Sequence, residues 1–366
     1  MISLGIDIGG TGCKCVAFRD DGTQLAIAYT EYPMAAGQVN LPPDILTSSV
    51  FQVIARCTAQ LEDKQDIAAI TVSSFGESFV AVDAEGNALT DILLYFGNTE
   101  SQEFTDLVER IGQEAFMRIT RILPDASYSL SKMLYTQKIA QRPVWKYLFI
   151  AGFITYRLTG KAYTDVSLAC RSLLYDVECR CWSKELLEKC GIEESTLPEV
   201  LPTGGKVGMI LPEIATQLGL PHNVQVVIGS HDQIVNALGA GVQNIGDAVD
   251  TSGTCECITP LFASIPESFA RDPGFHHARM RGLPSAVPAC CGRADRKAYG
   301  CGSAAALEKQ QIRHGSAGPV YSDSGIGPAL PGAGRMDPPR GDRRVKKDEA
   351  AETRLCHQRQ SVLFPA

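Results

Sequence analysis

Two carboxylates, each followed by small and hydroxylated residues, are the groups in this chain whose spacing suits chemistry. The first is Asp7, in Asp7-Ile-Gly-Gly-Thr-Gly-Cys-Lys14. The second is Asp232, in Gly229-Ser-His-Asp-Gln233, which leads into Ala237-Leu-Gly-Ala-Gly241 and then Thr251-Ser-Gly-Thr254. Gly9, Gly10 and Gly12 let backbone N–H groups come close to phosphate oxygens. Thr11 adds a hydroxyl donor and Lys14 a cation, while Asp7 at a strand end can hold water on a Mg²⁺ ion. Taken alone, such a glycine-rich turn is equally a plain tight turn. Phosphoryl transfer needs a carboxylate that orients the accepting hydroxyl and takes its proton, with positioning and charge neutralisation supplying most of the rate. Asp232 suits that task, and it equally suits capping the helix that follows; the two roles are compatible. His231 reads as a packing neighbour rather than a catalyst. Thr251 to Thr254 can meet phosphate through N–H and O–H groups, or be an ordinary hairpin.

The elements that must position these residues can be read from hydrophobic period. Ile2, Leu4, Ile6 and Ile8 alternate as a half-buried strand does, Cys13 to Phe18 reads as a second strand, and Asp20-Asp-Gly22 turns into a third over Gln24 to Tyr29. A helical stretch from Ile45 to Leu61 precedes a buried strand at Ile67 to Ser73. Three antiparallel strands, a helix and a further strand begin a ribonuclease-H-like, actin-type ATPase lobe of the α/β class. Phe79 to Val82 and Ala88 to Leu93 predict a hairpin through Glu85-Gly-Asn87. Helices are expected at Ser101–Ile111, Ser127–Ala140, Val144–Leu158, Ser183–Lys189 and Pro212–Leu218. Val224 to Ile228 is an apolar β-rich run, Asp232 to Ala240 a helix, and Ala248 to Thr251 with Thr254 to Ile258 begin a new sheet.

Composition excludes several classes. The net charge of −7 divides unevenly: residues 1–270 hold 18 Lys+Arg against 32 Asp+Glu, and residues 271–366 hold 16 against 9. The acidic body argues against nucleic acid as a partner. Thirteen scattered cysteines form C-x-C pairs without a second pair or histidines, which fits neither zinc nor a disulfide framework. Free thiols point to a reducing cytoplasm. Asp7 interrupts the first apolar stretch, so no signal peptide is read, and Val144 to Leu158 is too short to span a bilayer. From residue 271 onward, 21 of 96 positions are Gly or Pro and only 13 are Leu, Ile, Val or Phe. That stretch is expected to be mostly disordered.

With these residues in hand, the chain resembles the FGGY carbohydrate kinases over roughly residues 2–262. The resemblance rests on Asp7-x-Gly-Gly-Thr11-x-x-Lys14; on Ser73-Ser-Phe-Gly-Glu-Ser78; and on Tyr156-Arg-Leu-Thr-Gly160 with Thr164-Asp-Val-Ser167 and Ser172-Leu-Leu-Tyr-Asp176. It rests further on Leu197-Pro-Glu-Val200 with Gly208, and on the run from Gly229 to Thr254. It implies a complete N-terminal, sugar-binding domain over 1–244, the start of a C-terminal nucleotide domain over 245–270, and an aberrant tail over 271–366. It also implies Asp232 as the base toward a sugar or polyol hydroxyl, Asp7 as a holder of Mg²⁺, and Gly10, Thr11, Lys14, Gly253 and Thr254 at the phosphates of ATP. Glu77, Tyr95 and Asn98 are implied at the sugar. The family's Trp-x-Asp-x-Arg segment reads Tyr95-Phe-Gly-Asn98-Thr-Glu100 here, so an amide stands for the acid and the arginine is missing.

The expectation is therefore an ATP-dependent kinase of a ketose, sugar acid or polyol, cytoplasmic, without nucleic-acid or membrane partners. Homodimer formation is left open. The family's adenine-binding Gly-Gly-x-x-x-Ser pattern is not seen after Ala270, and a shift of reading frame would produce such a tail. Turnover by this chain is accordingly expected to be weak or absent, with an inactive sugar-binding remnant as the alternative. An actin-fold ATPase built around a cysteine-held cluster is disfavoured by the scatter of the cysteines.

Overall fold

In the computed structural model, residues 1–35, 38–94, 102–252, 256–262, 275–279 and 286–292 are described. Strand β1 (Ile2–Ile8) buries its alternating Ile2, Leu4, Ile6 and Ile8, and β2 (Gly12–Arg19) and β3 (Gln24–Glu31) return antiparallel beside it. After the short β4 (Asn40–Leu41), α1 (Pro43–Thr58) begins on a proline, which costs nothing where the N–H has no helical partner. Its buried Leu46, Val50, Val53, Ile54 and Cys57 recur three and four apart, so one stripe faces the core. Strand β5 (Ile67–Ser74) then enters parallel to β1.

The chain continues through β6 (Phe79–Val82), β7 (Ile92–Leu93), α2 (Gln102–Ile111), α3 (Gln113–Thr120) and α4 (Ser129–Ile139). Next come β8 (Lys146–Phe149), α5 (Ile150–Thr159), β9 (Tyr163–Asp165) and α6 (Val166–Cys170). Gly160, at φ 71°, takes the left-handed position that ends α5. Beyond them lie β10 (Tyr175–Asp176), β11 (Cys181–Trp182), α7 (Lys184–Cys190), β12 (Glu199–Leu201), β13 (Lys206–Met209) and α8 (Pro212–Leu218). Then β14 (Gln225–His231) runs straight into α9 (Asp232–Gly239), followed by β15 (Ala248–Ser252), β16 (Glu256–Pro260), β17 (Phe275–Arg279) and β18 (Ala286–Gly292).

The main sheet has the order β13-β14-β5-β1-β2-β3, with β14, β5 and β1 parallel and the others antiparallel to their neighbours. One apolar core spans Ile2 to Val226, and a second, smaller cluster joins Ile234, Ala237 and Ala240 to Val249, Cys257 and Leu261. Asp232 therefore stands at the joint between the two.

Two readings of the sequence are corrected. Val144 to Leu158 is not one helix: Lys146 to Phe149 pair with β6 as a strand, and the helix starts at Ile150. The expected hairpin from Phe79 to Leu93 is kept only beside its turn, where the Val82 to Ala88 bridge lies between Asp83 N–H to Asn87 O at 3.0 Å and Leu89 N–H to Ala81 O at 2.8 Å. Farther along, β7 pairs with β4 instead, while β6 takes β8 as its strand partner. Past residue 271 the described residues form β17 and β18, which join β15 and β16 in a four-stranded sheet; the rest of the stretch expected to be mostly disordered lies outside the described residues.

Candidate active site

Asp7 lies near the end of β1, with Lys14 opposite it on β2 and Ser73 beside it on β5. The Ser73 hydroxyl donates to Asp7 Oδ1 at 3.4 Å. Burial raises the Asp7 carboxyl pKa, and the Lys14 cation and Ser73 hydroxyl pull it down. The turn that follows is closed by Gly9 N–H to Gly12 O at 2.9 Å, and the Tyr32 hydroxyl donates to Gly9 O at 3.1 Å. A Cβ at Gly12 would lie 2.4 Å from Thr30 O, so only glycine lets β2 and β3 approach there. Gly9 and Gly10 are half-buried and Thr11 exposed, which leaves the tip of the turn open to a ligand.

Strand β5 leaves the sheet through Phe75 N–H to Ile8 O at 3.1 Å. A three-residue turn follows, closed by Ser78 N–H to Gly76 O at 2.8 Å, with Glu77 at φ 62°. That geometry is strained for a residue with a side chain. Glu77 is also ion-paired with Arg171, both side chains being buried. Arg171 in turn lies over the Tyr128 ring, 4.5 Å from its centroid, and donates to the Tyr128 hydroxyl at 3.4 Å. Gly76 makes room for this cluster: a Cβ there would meet the His231 ring at 2.7 Å and Arg171 at 3.0 Å.

The third strand end carries His231 and Asp232. His231, not Asp232, caps α9 through its ring nitrogen, accepting from Gln233 N–H at 3.3 Å; Asp232 is the first helical residue. Its Oδ1 accepts from Gln233 N–H at 2.6 Å, at the positive end of the helix. Burial and the Arg171 charge hold the His231 imidazole well below its usual pKa. The 3.2 Å approach of His231 Nδ1 to Asp232 Oδ1 is thus a contact of a neutral ring rather than an ion pair.

Ile8, Ser74 and His231 are register neighbours at the C-terminal ends of three parallel strands. Asp7 and Asp232 leave the same edge of the sheet, two strand spacings or roughly 10 Å apart. Ligands of open parallel sheets bind beyond this edge. The structure thus brings together Asp7, Gly10, Thr11 and Lys14 on one side of β5, and Glu77 and Asp232 around the other. Tyr95, Asn98, Gly253 and Thr254 lie outside the described residues. Sequence reasoning missed Arg171 and Tyr128. A lone charge inside the apolar run Leu168-Ala-Cys-Arg-Ser-Leu-Leu-Tyr175 was the available signal, since a buried arginine requires an acidic partner.

Among the described residues, no three His, Cys, Asp or Glu side chains form a metal cluster. A single half-buried carboxylate at Asp7 still fits Mg²⁺, which keeps most of its waters and takes one or two carboxylates beside substrate phosphates. No described helix is long and apolar enough to cross a membrane.

The sequence profile of the FGGY family of carbohydrate kinases, N-terminal domain, matches residues 2–239. The chain is 24% identical over 257 residues to a xylulose kinase of Staphylococcus xylosus, covering 69% of this chain and 53% of that protein. It is 26% identical over 278 residues to an L-fuculokinase of Escherichia coli, covering 73% and 58%. A solved xylulose kinase from Rhodospirillum rubrum superposes with a TM-score of 0.72 at 22% identity, covering 80% of this chain and 60% of that one. The chain spans about half the length of the curated relatives it matches. The shared fold is the mixed α/β, actin-like ATPase lobe. With more than half of its residues under the profile, the chain belongs to the FGGY family of carbohydrate kinases.

Proposed function

We propose that this chain is the sugar-binding part of an ATP-dependent carbohydrate kinase in which Asp232 is the general base. The observation that carries the reading is the common edge: Asp7 and Asp232 end parallel strands on either side of β5, whose exit bears Glu77. A sugar hydroxyl seated between Glu77 and Asp232 would lose its proton to Asp232 as its oxygen bonds to the γ-phosphorus of ATP and the bond to the β–γ bridging oxygen breaks, ADP leaving. Glu77, steadied by Arg171, would accept a hydrogen bond from a second hydroxyl of the sugar. Gly10, Thr11 and Lys14 would contact the phosphates through backbone, hydroxyl and cation, joined by Gly253 and Thr254. Asp7 would hold Mg²⁺, which when bound neutralises phosphate charge. Relatives named for xylulose and fuculose point to a neutral sugar and one named for gluconate to a sugar acid; the acidic residues of this site edge favour the neutral class. Buried thiols at Cys13, Cys15, Cys57, Cys170 and Cys190 are unbridged, which supports the reducing cytoplasm as its setting.

The test is ADP release across pentuloses, hexuloses, aldonic acids and polyols, alongside sugar-dependent thermal stabilisation. Asp232→Asn is expected to lower kcat by about 10²- to 10⁴-fold, the usual range for a general base, while sugar-dependent stabilisation persists. Stabilisation by a sugar without any turnover in the unaltered chain would favour the inactive remnant. Neither turnover nor stabilisation with any sugar would defeat both readings.

A further inference from the structure

The Thr164-Asp-Val-Ser167 stretch is one of the most specific motifs in the sequence, yet none of its residues belongs to the proposed chemistry. Its hydrogen bonds show what it touches. Asp165 is fully buried, and its Oδ2 accepts from Ser167 N–H at 3.1 Å, from the Ser167 hydroxyl at 2.7 Å and from the Thr203 hydroxyl at 2.7 Å. Its Oδ1 accepts from Leu168 N–H at 3.1 Å, so the carboxylate also caps α6. Four donors among the described residues face it, which fixes it as an acceptor.

Because the one Ser167 hydroxyl hydrogen goes to Asp165, the oxygen of Ser167 is left to accept. It does so twice, from the Ser230 hydroxyl at 2.7 Å and from the His231 backbone N–H at 2.8 Å. These are the two residues before Asp232.

This arrangement meets a specific need of β14. Its ladder with β5 is regular from Gln225 to Ile228 and then shifts register before His231. Gly229 makes the shift, since a Cβ there would fall 1.8 Å from Val72 O. Such a bulge bends a strand and takes its next N–H out of the ladder. A buried N–H without an acceptor is costly, and the Ser167 oxygen supplies one.

We propose that Asp165 and Ser167 are positioning residues: together they fix the 230–231 backbone and thereby aim the Asp232 carboxylate. The proposal rests on the reading of Asp232 as the base, but its structural half stands apart from that reading and is measured separately.

The test uses the full 366-residue chain with Ser167→Ala, which removes the acceptor of His231 N–H, and Ser167→Thr, which retains it. Backbone hydrogen exchange at His231 is expected to rise roughly tenfold or more in Ser167→Ala, with Val226 and Ile228 unchanged and Ser167→Thr restoring protection. In the kinase assay, kcat of Ser167→Ala should fall by up to about a hundredfold, the penalty of an ångström-scale misplacement, while KM for sugar stays within about threefold. Unchanged His231 exchange overturns the proposal, as does a raised KM with kcat intact. If Ser167→Ala fails to fold, Thr203→Val, which removes one donor to Asp165, must loosen His231 in the same local way, and its failure to do so overturns the proposal. A wild-type chain that turns over no sugar defeats the kinase reading alone, and the exchange measurement still decides the positioning.

Discussion

Glu77 and Arg171 show how a single backbone angle and a single ion pair depend on each other. The left-handed turn at Glu77 is unfavourable by itself, and a buried carboxylate without a partner would be more so. Removing the cation is therefore worse than removing both charges. Arg171→Ala is expected to lower unfolding free energy by about 3–5 kcal/mol in denaturant titrations, with Glu77→Gln/Arg171→Met recovering a good part of the loss. Equal losses in the single and double variants would defeat this account. His231 gives a second prediction, through pH. Its folded pKa is depressed below the unfolded value of 6.5, so the neutral ring contributes stability that is present above about pH 6.5 and is lost as pH falls toward the folded pKa. Tm should decline from neutral toward about pH 5, and His231→Asn, which has no proton to take up, should flatten that slope. A parallel slope in the variant would mean that other groups carry the titration.

At the scale of elements, the sharpest constraint is where β14 presses against β5. Gly229→Ala forces a Cβ onto the Val72 carbonyl, backbone against backbone, with no side chain able to yield. The expected cost is more than about 2 kcal/mol, at the upper end of overpacking, with sugar-dependent stabilisation lost as well because the Asp232 joint shifts. A stable variant that still responds to sugar would show that the strand end is less fixed than argued. The strands that build this edge were legible in the sequence. Ile2 to Ile8 alternates, Ile67 to Ser73 is a bounded apolar run, and Gly229 to Asp232 punctuates strand into helix. Val144 to Leu158 was not legible, because its middle, Tyr147 to Thr155, is buried at every position and so has no period to separate strand from helix. What splits it is β6, some sixty residues earlier in the chain and visible only once the chain is folded. The site divides in the same way. Asp7, Lys14 and Asp232 announce themselves by their neighbours in sequence, whereas Arg171, Tyr128 and Thr203 matter through partners far along the chain.

At the scale of the whole molecule, charge bears on which sugar the proposed site would take. Residues 1–270 carry 14 more acidic than basic groups, and the site edge holds Asp7, Glu77 and Asp232 against Lys14 and the already paired Arg171. A neutral sugar brings no net charge into that field, so its affinity should not depend on ionic strength. A sugar acid would bring one, and its binding would strengthen as salt screens the repulsion. The two cases separate when the Debye length is shortened from roughly 30 Å at about 0.01 M salt to roughly 10 Å at about 0.1 M. Sugar at about a hundred times its Kd stabilises by roughly 2.7 kcal/mol, enough to raise Tm by several degrees. That rise should be the same at both salt concentrations for a ketose or deoxysugar, measured against the salt dependence of the free chain. An aldonic acid should give little at low salt and more at high salt. An aldonic acid that stabilises best at low salt would place an unrecognised cation at the site and overturn the preference for neutral sugars, and a ketose response that changes with salt would overturn the premise that its binding carries no charge.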